Sequence, residues 1–500
     1  MKKENNLINL YSNNQSHHWD DKKKAFKDYN SLLKLKKIIL KYLLYNLNKI
    51  HRTHYSIRAW DLMIGYWLFR FLVVVFDRWT IISDNKKQNF SNRGHTNKIF
   101  KTSKIPLDSE EAQNFFFDDD WNNLLLSQIL YEVNGFHSSL SQSISRSQNI
   151  ISKRNKYKNI KNILKAFYNF SILSIEKKNV DYVITSSGLS KKNYIKLIYN
   201  LPGKKIIDPK FPSNVKLKYK SKMRNWQLPT HIDDTEFEKI VKKLIPIWIP
   251  MNFIEGFKSL LEIHSKHPYL KPIPKVIFTM NYHFNNDSFK VWAAKKIDKG
   301  SKLIIGQHGS GPLHKYNGGT KYEIDISDTY ITTGNGNKGS NKLKGVGQIF
   351  NKLEMSKWDR NGSGLLVTTI MPRYYFDLRS MAMANDMFDY FKNQFEFYNN
   401  LTQTVKRSMI VRIPIFNKKD DYGWNITKLW IDKFPGVNIE SKNLPFNKSV
   451  KNCRISIHTS NTTTFNETLA ANIPTMVYWN KKYNELKDYS EYDISLLESV

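Results

Sequence analysis

The chain has 500 residues, 40% of them hydrophobic, enough for a large core and, at about 150 residues per domain, two to four domains. Its 78 Lys and Arg against 44 Asp and Glu give a formal charge of +34, which favours polyanions or an anionic membrane surface. Those cations are spread along the chain without a homeodomain, zinc-finger or RRM signature, so no nucleic-acid partner is expected, and the single cysteine, Cys453, excludes an intrachain disulfide or a Cys-based metal site and fits a reducing, cytoplasmic location.

Met1 to Asp20 is polar and does not read as a signal peptide. Residues 21–80 read as helical, because Leu32, Leu33, Leu35, Ile38, Ile39, Tyr42 and Leu43 recur near helical spacing with lysines between them. The one strongly apolar run, from Leu62 to Phe76, is interrupted by Arg70 and falls short of the roughly 20 residues that span a bilayer. It is expected as a buried helix, with an interfacial anchor as the alternative that Trp60, Tyr66, Trp67 and Trp79 keep open. From Asp84 to about Asp120 the chain is polar and loop-rich, and residues 141–166 read as a solvated helix or flexible insertion.

Strands and helices then alternate. Val180 to Thr185 is a strand, followed by a helical pattern near Lys191–Tyr199. Val276 to Thr279 is the next strand, and Asn286 and Asp287 cap a helix carrying Phe289, Trp292, Ala293 and Ile297 that Gly300 stops. Leu303–Gly306 completes a βαβ unit, which implies a parallel sheet. Tyr330 to Thr333 is a further strand. After a polar bridge near Lys352–Gly364 come a strand at Leu365–Thr369, a helix at Met381–Tyr398, and strands at Met409–Ile413 and Ile455–His458. A helix after Asn461, closed by Asn472 and Pro474, leads to a last strand at Thr475–Tyr478. The fold class is therefore α/β, with two Rossmann-like lobes behind a helical N-terminal region, divided as 1–120, 121–350 and 351–500.

Ligands of open α/β sheets sit beyond the carboxyl ends of strands. Gln307, His308 and Gly309 follow such an end, where glycines let backbone come close; an ordinary strand-to-helix turn with a satisfied histidine is the alternative. The stretch Ser460, Asn461, Thr462, Thr463, Thr464 leads a strand into a helix, whose N-terminus suits a phosphate or diphosphate. Glu467 sits one turn in and could accept from ribose or sugar hydroxyls, or close a capping box with Thr464. Arg373 and Arg412 lie at strand ends, where they could clamp a diphosphate or form surface ion pairs. Glu323, Asp325 and Asp328 offer a general base for a sugar hydroxyl, or a solvated loop before a strand. P-loop, HExxH and isolated DxD patterns are missing, so kinase, P-loop and zinc-hydrolase chemistry lose their support.

Taken in order, Leu47-Asn48-x-x-His51, Trp60 through Leu68, Phe76-Asp77-Arg78, Phe289-Lys290-x-Trp292-x-Ala294, Gly306-Gln307-His308-Gly309, Ser327-Asp328, Val411-Arg412-Ile413 and Ser460 through Thr475 resemble a family of transferases from bacterial O-antigen and surface-polysaccharide gene clusters. The resemblance runs from about residue 45 to the end. It implies a two-lobe (GT-B) glycosyltransferase, similar to capsule-synthesis transferases, moving sugar from a nucleotide-sugar donor to a glycan or lipid-linked acceptor. It implies a metal-independent reaction without cofactor, on the inner face of the plasma membrane with peripheral contact to anionic lipid. His308, Gln307 and Asp328 would be catalytic; Gly309, Arg373, Arg412, Ser460, Asn461, Thr462, Thr463 and Glu467 would bind substrate. The chain departs from the pattern at Ser310-Gly311-Pro312-Leu313 and Thr333-Gly334-Asn335, so its acceptor side is expected to differ. It also stops at Val500, short of the relatives' final helices, which would weaken a two-lobe enzyme. The alternative function is a non-catalytic polysaccharide-assembly protein at the membrane.

Overall fold

The computed structural model describes residues 16–86, 105–134, 180–213, 215, 217–309, 314–333, 340–346, 353, 359–414, 421–440, 444–460, 463–478 and 480–486. The expected insertion at 141–166 lies outside them. Two parallel sheets organise the chain. The first contains β1 (Tyr182–Ile184), β2 (Lys205–Ile207), β3 (Val276–Thr279), β4 (Lys302–Gly306), β5 (Thr329–Thr332) and β6 (Leu343–Gly345), in the order β2-β1-β3-β4-β5-β6. The second contains β7 (Ser363–Val367), β8 (Met409–Arg412), β9 (Cys453–His458) and β10 (Thr475–Val477), in the order β10-β9-β7-β8. Every pair between these strands is parallel. The strand order reverses between β1 and β3 and again between β7 and β9, and such reversals open crevices at the carboxyl ends of the strands.

The N-terminal helices are part of the same body as the first sheet. Helix α1 (Lys22–His51) starts because Asp21 accepts from the amides of Lys23 (2.8 Å) and Lys24 (3.2 Å), and ends on Arg52 in the left-handed region. Asn48 then fixes the turn: its Oδ1 accepts from Thr53 Oγ1 (2.9 Å), Tyr55 N (3.1 Å) and Trp60 Nε1 (3.0 Å). A short helix α2 (Ile57–Trp60), a π-helical turn (Asp61–Gly65) and α3 (Tyr66–Lys86) follow. The segment Ile57–Asp84 is apolar and long enough to cross a membrane, yet 89% of its most apolar window is buried within the fold. The buried-helix reading therefore holds, and the interfacial anchor does not. Arg70 is accommodated by Tyr66 and Phe376, whose ring centroids lie 4.1 and 4.8 Å from its guanidinium carbon, and by Asp377 at 3.6 Å. One continuous core runs from Trp19 through these helices and the first sheet to Met383 and Ala384, while smaller clusters fill the second sheet.

The departures from expectation have local causes. The region 323–328 is not a solvated loop, because Gly318–Ile326 is a helix, with Asn317 accepting from Thr320 N, and Glu323 is buried. Gly318 is needed there, since a Cβ would stand 2.2 Å from Phe69 Cε1 and 2.6 Å from Asp377 Oδ1. The helix expected at Met381 starts at Asp386: Ala384 has φ +45°, and Met381, Ala382 and Met383 plug the two cores instead. The polar stretch before Asp120 contains a helix, Ser109–Phe115, begun by Asp108 accepting from Glu111 N (2.8 Å).

Candidate functional site

The turn after β4 and the turn after β9 meet. Gly309 has φ +85°, a conformation that suits glycine, and a Cβ there would lie 3.1 Å from Thr463 Oγ1. The carboxyl ends of the two sheets thus approach each other at a glycine and a hydroxyl. Gln307, buried, holds this turn in shape. Its Nε2 donates to Gly309 O (2.6 Å), and its Oε1 accepts from Thr332 Oγ1 (2.5 Å), Thr333 N (2.8 Å) and Thr333 Oγ1 (3.1 Å). The amide is engaged with the backbone, so Gln307 positions the turn. His308 between them is exposed, with its ring 5.8 Å from Phe284, as expected of a side chain facing outward from the strand end.

Beneath this rim lies a pair of which only Glu323 was a candidate from the sequence. His283, just past β3, is fully buried, and its Nε2 meets Glu323 Oε1 at 3.0 Å. Tyr330 donates to Glu323 Oε2 (3.1 Å). Burial, then the charges of His308 and Lys290, hold the His283 imidazole well below its ordinary value, and burial raises the Glu323 carboxyl well above its own. The His283 imidazole is neutral near pH 7, burial favours the neutral form of the Glu323 carboxyl, and His308 is the exposed member of the cluster. His283 was hard to find in sequence because no motif surrounds it; its proximity to His308 follows from the β3–β4 pairing.

On the second sheet, Ser460 is buried and Thr463 half-buried at the start of the helix Thr463–Ala470; Asn461 and Thr462 lie outside the described residues. Because the helix already includes Thr464, that residue is not the cap of a capping box. Its hydroxyl faces His458 Nδ1 (3.5 Å), and Ser456 Oγ (2.9 Å) and Thr468 Oγ1 (3.2 Å) face His458 Nε2. Burial pushes His458 down to about 3, so it is neutral. Glu467 is buried on the same helix. At the β7/β9 crevice, Tyr390 OH accepts from Thr369 N (2.7 Å) and pairs with Thr459 Oγ1 (2.6 Å).

Two expected residues fall elsewhere. Asp328 precedes β5, at the end of the sheet opposite His308, and is held by Arg58 (Nη2 to Oδ2, 2.5 Å) and Leu303 N (2.8 Å). Burial pushes its carboxyl up, but these hydrogen bonds outweigh burial and hold it below the usual range. It anchors α2 to the sheet rather than meeting a substrate at the rim. Arg412 does end β8, but its Nη1 donates to Glu440, to Leu444 O (3.1 Å) and to Ser449 Oγ (2.8 Å), so the donor-clamp expectation is replaced by a structural ion pair. Replacing Arg412 with Ala should cost about 1.5–3 kcal/mol of stability and leave nucleotide affinity unchanged. Urea melts and a nucleotide titration would show it, and weakened nucleotide binding with intact stability would return Arg412 to the donor site. Arg373 is half-buried beside Tyr374 and forms no ion pair with a described residue, so it is the arginine of the two left for an anion.

Among the described residues, the imidazoles of His17 and His18 and the Asp77 carboxylate place ligand-type atoms within 4.8 Å of one another. His17 Nδ1 accepts from Trp19 N (3.1 Å), which puts the ring proton on Nε2, and that atom meets Asp77 Oδ1 (2.7 Å). Asp77 Oδ2 is taken by Arg78 (2.8 Å). A ring nitrogen that carries a proton cannot also ligate, so this arrangement works as a hydrogen-bonded clamp.

Two all-parallel sheets behind a helical N-terminal region, with a glycine turn after β4 close to the helix that follows β9, define an α/β protein. The chain belongs to the LIC12162 family of transferases, whose model matches residues 2–500. No curated protein matches it.

Proposed function

We propose that this transferase moves a sugar from a nucleotide-sugar donor to a glycan or lipid-linked acceptor of bacterial surface-polysaccharide or O-antigen assembly, at the cytoplasmic face of the membrane. The reading takes the two sheets as the lobes of a GT-B arrangement, with the donor on the second sheet and the acceptor on the first. The observation that carries it is the 3.1 Å approach of the Gly309 position to Thr463 Oγ1. A donor diphosphate lying on Ser460, Thr463 and the helix amides would then have its reacting carbon next to the 307–309 turn. Arg373 supplies positive charge on the same sheet. His308, exposed at the end of β4, carries the proton traffic, as base toward the acceptor hydroxyl or as donor to the leaving phosphate; an imidazole suits either task. Gln307 fixes the turn and Gly309 keeps the gap open.

Replacing His308 with Ala should lower transfer by about 10²-fold and leave the melting temperature nearly unchanged, because the ring is exposed. Turnover assays with a panel of nucleotide-diphosphate sugars, paired with thermal melts, make the test. Donors that bind should raise stability by about 2.7 kcal/mol at a hundred times their dissociation constant. Full turnover in the variant would remove the chemistry from this turn, and a panel that never shifts the melt would remove nucleotide sugars as donors.

A further inference from the structure

We propose that the solvent face of α1 is the surface through which this protein docks on an anionic lipid bilayer. Lys23, Lys27, Lys34, Lys37, Lys41 and Lys49 are all exposed along this one helix. At 100° per residue they fall within one arc, extended by Arg52 at the C-cap. None of the six pairs with a described carboxylate, and no Asp or Glu is exposed between Lys23 and Arg52. Asp28 and Asp61 are engaged on the flanks, with Lys24 (2.6 Å) and Lys36 (2.5 Å), and the exposed Asp21 is engaged as the N-cap by the amides of Lys23 and Lys24.

Two other surface helices mix their signs, with Lys428 paired to Asp432 and Lys243 to Glu132, whereas the helix Lys191–Asn200 is also free of acids but is only 10 residues long. What sets α1 apart is the number of cations along one arc, six lysines on a 30-residue helix. Its length is about 45 Å for a 30-residue helix.

Three apolar side chains stand among these lysines, Phe26 (36% exposed), Ile38 (47%) and Tyr45 (68%). Beside them, Tyr42 OH meets His231 Nε2 at 2.8 Å, which sets the following residue, Ile232, on the flank of the helix with 97% of its surface exposed. Lysines over apolar side chains match headgroup phosphates over acyl chains. Duplex nucleic acid is the other polyanion, but the exposed apolar side chains of Ile38 and Tyr45 among the lysines match acyl chains and not a phosphate backbone. This surface adds to the transferase reading a place where a lipid-linked acceptor would be met. It is tested without donor or acceptor, so either can fail alone.

The experiment is cosedimentation of the full chain with vesicles of phosphatidylcholine alone or with phosphatidylserine added. Binding should require phosphatidylserine and fall steeply as salt rises from 50 to about 500 mM, where screening shortens the reach of each charge. The variant Lys27→Gln, Lys34→Gln, Lys37→Gln, Lys41→Gln should lose binding at least ten-fold with an unchanged melting temperature. Ile38→Ser with Tyr45→Ser should lose it several-fold while keeping the salt dependence. The parent failing to bind at low salt, or the fourfold variant binding as the parent does, would overturn the proposal. So would a fourfold variant that loses duplex DNA binding and keeps its lipid binding.

Discussion

Acidification from pH 7 to pH 5 is expected to remove most of the stability of this protein. Four buried histidines carry the effect. Burial pushes His51, His264 and His314 down to about 4 and His458 to about 3. Their hydrogen-bond partners are Phe253 O (2.9 Å), Ser288 Oγ (2.8 Å), Ser380 O (3.1 Å) and the hydroxyls around His458, and none is a carboxylate that would reward a proton. The unfolded chain takes up these protons near pH 6.5, whereas the folded chain cannot until the pH is far lower. A folded pKa below the unfolded one means stability is intact above pH 6.5 and is lost as the pH falls from there toward 4. At pH 5 each site costs roughly 2 kcal/mol, and four such sites rival the roughly 5–15 kcal/mol that holds a typical domain together.

Some groups push the other way. Burial and the neighbouring Asp287 raise Asp108 to about 6, and burial also raises Glu323 and Asp386, so these carboxyls gain their proton in the folded state and stabilise it on acidification. His283 and His18, both lowered chiefly by burial, add to the loss. The histidines prevail between pH 6.5 and 5. Urea melts at constant ionic strength should show the midpoint dropping steadily through this window. Replacing His458 with Gln should flatten the slope, and a midpoint that stays level to pH 5 would sink the account.

The sheets were readable because their strands are short apolar runs bounded by turn residues: β3 occupies Val276–Thr279 as the pattern requires, and Asn286 caps the next helix by accepting from Phe289 N (2.9 Å). The edge strands β2 and β6 were not readable, since Lys205-Ile206-Ile207 and Leu343-Lys344-Gly345 each include a lysine and lack the longer apolar run that marks β3 or β4. The site divides in the same way. A glycine-flanked Gln-His pair after a strand can be seen in the chain, and so can a hydroxyl run ahead of a helix. Partners distant in sequence cannot: Glu440 lies 28 residues beyond Arg412, and Arg58 lies 270 residues before Asp328, so both arginine–carboxylate pairs were invisible and their members resembled site residues. Several motifs behind the family resemblance also prove structural. Asn48 closes the α1 turn, and Lys290 Nζ is buried on Ser109 Oγ (2.6 Å) and Asp287 Oδ1 (2.8 Å). Shared residues of this kind report a shared scaffold, and the stretches 307–309 and 460–463 are the sequence marks on which the proposed chemistry rests.

Replacing Arg78 with Leu should cost about 3–5 kcal/mol, more than any other single substitution considered above. The guanidinium has no exposed surface, and it joins three parts of the chain. Its Nη1 donates to Asp77 Oδ2 (2.8 Å) and Tyr375 O (2.6 Å), and its Nε and Nη2 donate to Asn122 Oδ1 (3.2 and 2.8 Å). Leucine would fill part of the volume but leave a buried carboxylate short of its cation, with a carbonyl and an amide oxygen short of donors. Asp77 would keep His17 (2.7 Å) and His18 (3.0 Å), which soften the loss without replacing a fixed charge. Asp77→Asn removes that charge, so Arg78→Leu should cost at least about 1 kcal/mol less in its background, a coupling that a double-mutant cycle in urea reads directly. A single variant within about 1 kcal/mol of the parent would show that the network only decorates the core. The consequence reaches the site as well. Tyr375 begins the segment that packs Phe376, Leu378, Met381 and Met383 into the core of the N-terminal helices before Asp386 starts the next helix of the second sheet. Arg78 thereby ties the second sheet to the body that carries the first, and the 3.1 Å gap between the Gly309 position and Thr463 depends on that tie. Transfer by a folded Arg78→Leu fraction should therefore fall further than its folded population alone accounts for.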